Sequence, residues 1–350
     1  MKQNAAAQNP IVGCLLGTAA ADALGLPYEG LSRRRGKRLY GVPDRYRFCF
    51  GRGMVSDDTE HTCMVAQALL ASQGYVDLFR AELAKQLRWW LLGVPAGIGL
   101  ATLRAILRLW TGRSPLHSGV FSAGNGPAMR AAILGASLDD LDTLREFVQT
   151  STRITHIDPK AEFGALAVAL AAWQGRHLEA PDTDAFLFQL QKWFAGNEEE
   201  LIGLLSQAIA SVRAGQTTEA FADALGLSQG VSGYVYHTVP VAIHAWLRHP
   251  EDFRAAVISV IACGGDTDST GAIVGGIVGT TVGREGIPEE WLRGLLEWPR
   301  SVHWMERLGL QFTDAPSAPL RLPFYAILLR NLLFLMIVLF HGFRRLFPPY

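Results

Sequence analysis

The stretch CGGDTDSTGAIVGGIVGTTVG, from Cys263 to Gly283, sets two acids and three hydroxyls ahead of an apolar run in which Gly271, Gly275, Gly279 and Gly283 recur at every fourth position. That period belongs to one face of a helix and not to the alternation of a strand. Glycine inside a helix costs about 1 kcal/mol relative to alanine, so a stripe of it needs a compensating contact, and close approach of a second backbone supplies one. Gly13, Gly17, Ala21 and Gly25 form a matching stripe. Both stripes adjoin acidic motifs, which implies that tight packing fixes carboxylates borne at helix ends. The predicted class is all-α.

Outward from these two helices the same period continues, in Phe163, Leu166, Ala167 and Leu170 and in Leu201, Leu204, Leu205 and Ile209. GVPD at Gly41 to Asp44, HIDP at His156 to Pro159 and EAPDTD at Glu179 to Asp184 break it, and roughly a dozen helical segments are predicted between Ile11 and Leu310. Neither a linker nor an internal repeat divides this region, so residues 1–320 read as one compact helical domain and 321–350 as an apolar tail. With 49% hydrophobic and 18% charged residues in 350, the chain is neither disordered nor fibrous and buries a large core. Lysine plus arginine equals aspartate plus glutamate at 32 each, so no overall field favours nucleic acid, and anion binding has to be local. Cys14, Cys49, Cys63 and Cys263 lack CxxC spacing and read as small buried hydrophobes, while the opening MKQNAAAQNP lacks the apolar core of a signal peptide. A reducing, cytoplasmic setting is the expectation.

Two acidic clusters carry the chemistry. Ser56, Asp57, Asp58, Thr59 and Glu60 follow the turn GRGM and open a helical run, and Asp266, Thr267, Asp268 and Ser269 open the glycine-striped helix. One acid at a helix start is ordinary capping, worth about 0.5–1 kcal/mol. Adjacent acids repel, and their apposition becomes favourable beside a hard cation that prefers carboxylate and hydroxyl oxygen. With no histidine or cysteine at ligand spacing, magnesium or manganese is favoured over zinc, and two ions about 3.5–4 Å apart account for four aspartates better than one. His61, His237, His244 and His249 lack zinc spacing and read as satisfied groove residues. Gly226 to Gly230 spells GxSxG, but the preceding FADALGL reads as helix where a serine-hydrolase elbow needs a strand.

The order ADALGLPYEG, SDDTEHT, SAGNGPAMR, a Thr155-His156 pair, GYVYHTVPVAIHAW and CGGDTDSTGAIVGG resembles the ADP-ribosylglycohydrolase family over roughly Ile11 to Leu310. The resemblance implies an all-α hydrolase that removes ADP-ribose from a modified protein side chain or related conjugate at a site holding two magnesium or manganese ions. By position it implies Ser56, Asp57 and Asp58 as one ligand set and Asp266, Asp268 and Ser269 as the other; serine stands where the family often has threonine and keeps the oxygen. Glu29 matches a family glutamate that lies beside the metals and moves with substrate; on its own it reads as a loop acid before the basic run Arg33, Arg34, Arg35, Lys37 and Arg38. That run reads as a solvated face, with diphosphate steering or an acidic docking partner as the alternative. Glu29, Asp57 and Asp58 are the candidate bases, and the choice among them stays open.

Gly124, Asn125 and Gly126 form a turn whose amides suit a phosphate or ribose, and the resemblance makes them ligand contacts. It likewise implies His156 as a ribose or phosphate contact, and Gly233 and Tyr234 as nucleotide contacts with the ring free to stack on adenine; capping and core packing are the bland readings of His156 and Tyr234. Two rivals remain: a metal-dependent phosphohydrolase and a non-catalytic ADP-ribose-binding module. In the tail, Leu322 to Phe340 is apolar apart from Arg330 and Asn331, and His341, Arg344 and Arg345 follow. A span needs about 20 apolar residues and a mid-span arginine costs about 2.5–3.5 kcal/mol, so docking on protein, this domain or another subunit, ranks before association of residues 322–345 with a membrane surface, and spanning ranks last. Every proposed ligand precedes Thr270, so the tail is expected to be separable from the site.

Overall fold

Helix follows helix from Pro10 to Arg344 in the computed structural model, which describes residues 9–48, 50–196, 199–313 and 318–347. The described residues form seventeen α-helices and contain only isolated β-bridges. In order they are α1 Pro10–Gly25, α2 Arg33–Tyr40, α3 Asp57–Ser72, α4 Val76–Leu92, α5 Leu100–Trp110, α6 Ala132–Ser137, α7 Leu141–Arg153, α8 Pro159–His177 and α9 Thr183–Phe194. The second half comprises α10 Glu199–Arg213, α11 Thr218–Ala224, α12 Val235–Arg248, α13 Phe253–Ile261, α14 Thr267–Val282, α15 Glu289–Gly294, α16 Val302–Leu310 and α17 Phe324–Arg344. The all-α expectation holds. The expected dozen segments fall short because helices such as α6 and α15 are six residues long, under two turns, where a period of 3.6 barely registers.

The centre of the molecule is the antiparallel pair α1 and α14. Every residue of α1 after Pro10 is buried, as is α14 from Thr267 to Thr280. The two glycine stripes meet each other: a methyl on Gly13, Gly17 or Gly25 would fall inside contact distance of the backbone at Gly279, Gly275 or Thr267, and one on Gly271 would lie 3.0 Å from the Ala21 carbonyl oxygen. Asn9 starts α1 by accepting the Ile11 and Val12 amides at 2.9 and 3.1 Å, and Pro10 occupies a position whose missing N–H costs nothing. Because the pair runs antiparallel, the C-terminal end of α1 sits beside the N-terminal end of α14.

Cys14, Cys63 and Cys263 are free and buried, as read from sequence; Cys49 lies outside the described residues. The GxSxG turn follows helix α11, with no strand before it, so the elbow reading stays excluded. The tail forms α17 and docks on this same domain. Its inner face carries the polar side chains: Arg330 and Asn331 are buried, Asn331 Nδ2 donates to the Gly93 carbonyl at 2.9 Å, and the His341 ring packs between Tyr40 and Phe48. Phe334 joins Leu26, Phe48 and Met54 in a small apolar cluster beneath the helix.

The stripe contact predicts the sign of a substitution. Gly275→Ala would stabilise by about 1 kcal/mol if helix propensity alone mattered. The added methyl, however, meets the Gly17 backbone and lies 2.6 Å from the Ala21 Cβ. Overpacking of a rigid contact costs about 1–3 kcal/mol, so urea denaturation is expected to show a net loss of stability.

Candidate active site

Helix α3 begins at Ser56, whose Oγ accepts the Asp58 amide at 3.2 Å as an N-cap. Behind it lies Asp22, a residue that sequence reading did not single out. Wholly buried in α1, its carboxylate accepts the Ser56 amide at 3.0 and 2.9 Å, the Thr59 amide at 3.2 Å and the Thr59 hydroxyl at 2.5 Å. Asp22 thus ties the central pair to the start of α3. The signal for it was present in ADALG, an acid within an otherwise apolar helix.

The second acidic cluster is held by its neighbours' backbone. Gly30 N donates to Gly265 O and Gly265 N to Leu31 O, both at 2.8 Å, while Val231 N reaches Gly264 O at 2.9 Å and Asp266 N reaches Val231 O at 2.7 Å. Gly264 and Gly265 adopt φ of 73° and 86°, and a methyl on Gly265 would strike the Val231 backbone. These bonds bring Glu29 and Asp266 together across more than half the chain. Asp266 Oδ2 then accepts from Asn125 Nδ2 at 2.7 Å, and Asn125 also donates to Thr238 Oγ1 at 3.2 Å.

The two clusters meet directly. Asp58 Oδ2 accepts from Ser56 Oγ at 2.9 Å and from Ser269 Oγ at 3.3 Å, so all six residues read as ligands belong to one locus. Asp58 is buried, yet its Oδ1 has no hydrogen-bond partner among the described residues. Desolvation, followed by neighbouring acidic charges, pushes the Asp57, Asp58 and Asp268 carboxyls well above the usual carboxylate range. Asp22 is pushed up to about 7, by desolvation against the hydrogen bonds from Thr59 and Ser56. Glu29 is exposed at the surface, yet desolvation, with Asp266 second, raises its carboxyl against the opposing charge of Arg345. Among the described residues no cation bonds to Asp58, whose buried Oδ1 meets no donor, and that oxygen amid facing acids and hydroxyls fits a hard divalent cation. Among the described residues no three Asp, Glu, His or Cys groups form a finished ligand cage; the locus is a set of facing carboxylates and hydroxyls.

Beside the acids lies the glycine turn. Asn125 N donates to Gly233 O and Val235 N to Ala123 O, each at 2.9 Å, so Gly124–Gly126 and Gly233–Tyr234 form one wall. A Cβ on Gly233 would come 3.2 Å from Asp266 Oδ2, which places this wall against the acidic locus. His156 stands behind the turn, 2% exposed, with Nδ1 2.9 Å from Thr155 Oγ1, and substituents on Gly124 or Gly126 would press on its ring. Burial, with Arg130 second, lowers its pKa to about 3, so it supports the turn as a neutral ring. Arg130, also missed from sequence, is fully buried and joins Gly126 O, His61 Nδ1, Ser151 and Thr155. The Tyr234 ring is half-buried; its hydroxyl accepts from Lys160 Nζ at 2.9 Å and His237 meets it edge-on at 5.0 Å between centroids.

The family model described as ADP-ribosylglycohydrolase matches residues 3–319. An uncharacterized protein of Archaeoglobus fulgidus is 33% identical over 289 residues, covering 81% of this chain and 90% of that one. The ADP-ribosyl-[dinitrogen reductase] glycohydrolase of Rhodospirillum rubrum is 27% identical, with 81% and 89% covered, and the chicken (Gallus gallus) ADP-ribosylhydrolase ARH3 is 25% identical, with 80% and 87% covered. A solved ADP-ribosylglycohydrolase-related protein complex superposes with a TM-score of 0.64 at 26% identity, covering 88% of this chain and 98% of that one.

The tail lies beyond the matched residues and still reaches the site, so the expected separation of the two does not hold in the structure. Arg330 pairs with Glu297 through Nε at 2.7 Å and Nη2 at 2.8 Å, and Nη2 also donates to the Val55 carbonyl at 2.6 Å. Glu297 in turn accepts the Val55 amide at 3.0 Å, so this pair grips both sides of the residue before Ser56. At the helix end Arg345 donates to the Glu29 carbonyl at 2.8 Å and the Pro27 carbonyl at 2.6 Å. Sequence spacing gave no sign of these contacts, all of which except the Arg330–Glu297 pair join residues more than two hundred positions apart. Removing one partner of a buried ion pair costs about 3–5 kcal/mol, because the other charge is left without compensation. Arg330→Met is therefore expected to lower the urea midpoint sharply, and adding Glu297→Gln to recover part of the loss; a double variant whose loss equals the sum of the two single losses would show that the pair is not coupled.

Proposed function

Because the chain belongs to the ADP-ribosylglycohydrolase family, we propose that it hydrolyses the bond between ADP-ribose and a modified protein side chain or related conjugate, with two magnesium ions at the Asp58 locus and manganese as the substitute. The family supports a glycohydrolase that removes ADP-ribose. The observation that carries the finer reading is Asp58: buried, bonded to hydroxyls from both acidic helix starts, and left with one oxygen free of donors. Ser56, Asp57 and Asp58 from α3 and Asp266, Asp268 and Ser269 from α14 are the ligands in this reading. Paired hard cations supply charge neutralisation and lower the pKa of bound water toward neutrality.

The chain's own groups divide the remaining work. Glu29 is the base we assign, since it is exposed where Asp57 is half-buried and Asp58 buried, and desolvation, with Asp266 second, raises its carboxyl. As water attacks the anomeric carbon, one of its protons passes to Glu29, the bond to the acceptor breaks with its pair on the acceptor, and the acceptor takes up a proton from Glu29 or solvent as it leaves. Asp57 and Asp58 face the developing positive charge of the sugar. Gly124, Asn125 and Gly126 position the diphosphate and ribose through backbone amides, His156 braces that turn, and Gly233 and Tyr234 form the nucleotide wall with the tyrosine ring against adenine. Three buried free thiols suit a reducing compartment, and cytoplasmic placement belongs to the same proposal.

Product analysis on ADP-ribosylated arginine, ADP-ribosylated serine and free nucleotides is the test. Release of ADP-ribose with intact acceptor is expected; release of phosphate or a nucleoside monophosphate would mark a phosphohydrolase, and binding without turnover a binding module. The metal assignment has its own readout. Asp58→Asn and Asp268→Asn are expected to weaken magnesium binding in calorimetric titration and to cripple turnover while the helical circular dichroism stays intact. Parental magnesium affinity in both variants would remove the metal from this locus.

A further inference from the structure

Helix α17 is amphipathic in the reverse sense. Its polar residues Arg330, Asn331 and His341 face the protein, and its exposed residues are almost all apolar. Leu329, Leu333, Met336, Phe340 and Phe343 recur at three and four along the outer face, with Leu333 50% and Phe340 72% exposed. At 21 residues the helix is about 30 Å long, and its outer stripe carries no acidic or basic side chain between Phe324 and Phe343. The one charge that argued against a lipid environment, Arg330, is turned inward onto Glu297. A contiguous apolar stripe of this length exceeds the scattered exposure normal for a monomer.

The charge at one end of this face names its occupant. Helix α2 packs on the C-terminal end of α17 through the stacked Tyr40 and His341 rings and the bond from Arg35 to the Arg345 carbonyl. There Arg34, Lys37 and Arg38 are exposed, with Arg344 beside them on α17, and neither helix contains an acid. Phe50 stands fully exposed on the neighbouring Phe48–Arg52 turn. A second copy docking by this face would bring no acid from either helix to meet these cations, whereas an anionic phospholipid surface offers acyl chains for the stripe and headgroups for the basic end. We propose that α17 seats the protein peripherally on anionic bilayers, its outer face in the interfacial layer, without spanning. The helix needs no rearrangement for this, because its inward polar contacts to Glu297, Val55 and Gly93 are kept.

The test uses the full chain and vesicle flotation, which does not depend on turnover. Binding is expected to vesicles of phosphatidylcholine mixed with phosphatidylglycerol, weaker binding to phosphatidylcholine alone, and release by salt or alkaline carbonate. Leu333→Glu with Phe340→Glu, both on the outer face, is expected to abolish flotation while circular dichroism and thermal midpoint stay parental. Lys37→Glu and Arg38→Glu are each expected to weaken binding at least about fivefold, the effect of one basic residue near such a surface. The proposal is overturned if the parent does not float with anionic vesicles, if the outer-face variant floats as well as the parent, or if carbonate fails to release it, which marks a span. Light scattering that finds a dimer dissolved by the outer-face variant, with no vesicle binding, would assign the face to a second copy instead.

Discussion

Backbone contact between α1 and α14 is the constraint from which the site follows. Where one partner at each contact lacks a side chain, two helices can approach closely enough for the backbone of one to fill the space a Cβ of the other would take, as Gly13, Gly17 and Gly25 do with Gly279, Gly275 and Thr267. The antiparallel sense then puts the end of α1 and the start of α14 at the same edge of the core. Asp22 near the first and Asp268 and Ser269 at the second are placed by helix geometry, while Asp266, just before α14, is held by its amide on the Val231 carbonyl. Rigid elements hold reacting groups better than loops do, and here the rigidity comes from the tightest contact in the core.

Around that edge the protein concentrates negative charge where burial makes it costly. Desolvation is the first cause of the raised carboxyls at Asp22, Asp57, Asp58 and Asp268, and repulsion from neighbouring acids adds to it at the last three. The fold bears this by anchoring the acids from behind: Asp22 takes amides and a hydroxyl from the start of α3, Asn125 ties Asp266 to the wall formed with Gly233, and Glu297 with Arg330 grips Val55. The arrangement favours one geometry of the acids without neutralising them, which leaves their charge available to a ligand. Arg130 does the same for the neighbouring turn, since its guanidinium joins Gly126 to Thr155 beside His156.

The tail brings a second layer of organisation to this edge. Arg330 and Arg345 extend from a helix outside the matched residues to the backbone on either side of the acidic locus, at Val55 and at Pro27 and Glu29. A helix whose Arg330, Asn331 and His341 are committed inward shows a mostly apolar face outward. The outward apolar stripe and the bracing of the site are therefore two faces of one packing choice.

From sequence alone the helical class, the stripes, the two acidic helix starts and the glycine turn were legible, because each is a local pattern of residue type against a period of 3.6 or a capping position. The GxSxG turn was correctly set aside for the same reason, as the helix before it has a local signature. What sequence left open was which stripe meets which, since close approach is a property of pairs of helices. Asp22 and Arg130 escaped notice because a buried polar residue shows its role only through partners distant in the chain, Ser56 and Thr59 for one and Ser151 and Thr155 for the other. His156 shows the same limit: its motif was visible, but only tertiary structure put a neutral ring behind the turn. The tail marks the boundary most clearly. Its composition fixed a long apolar helix with one awkward arginine, and only the fold decided that the arginine turns inward to Glu297, because a buried guanidinium is stable where a carboxylate and a carbonyl already wait for it.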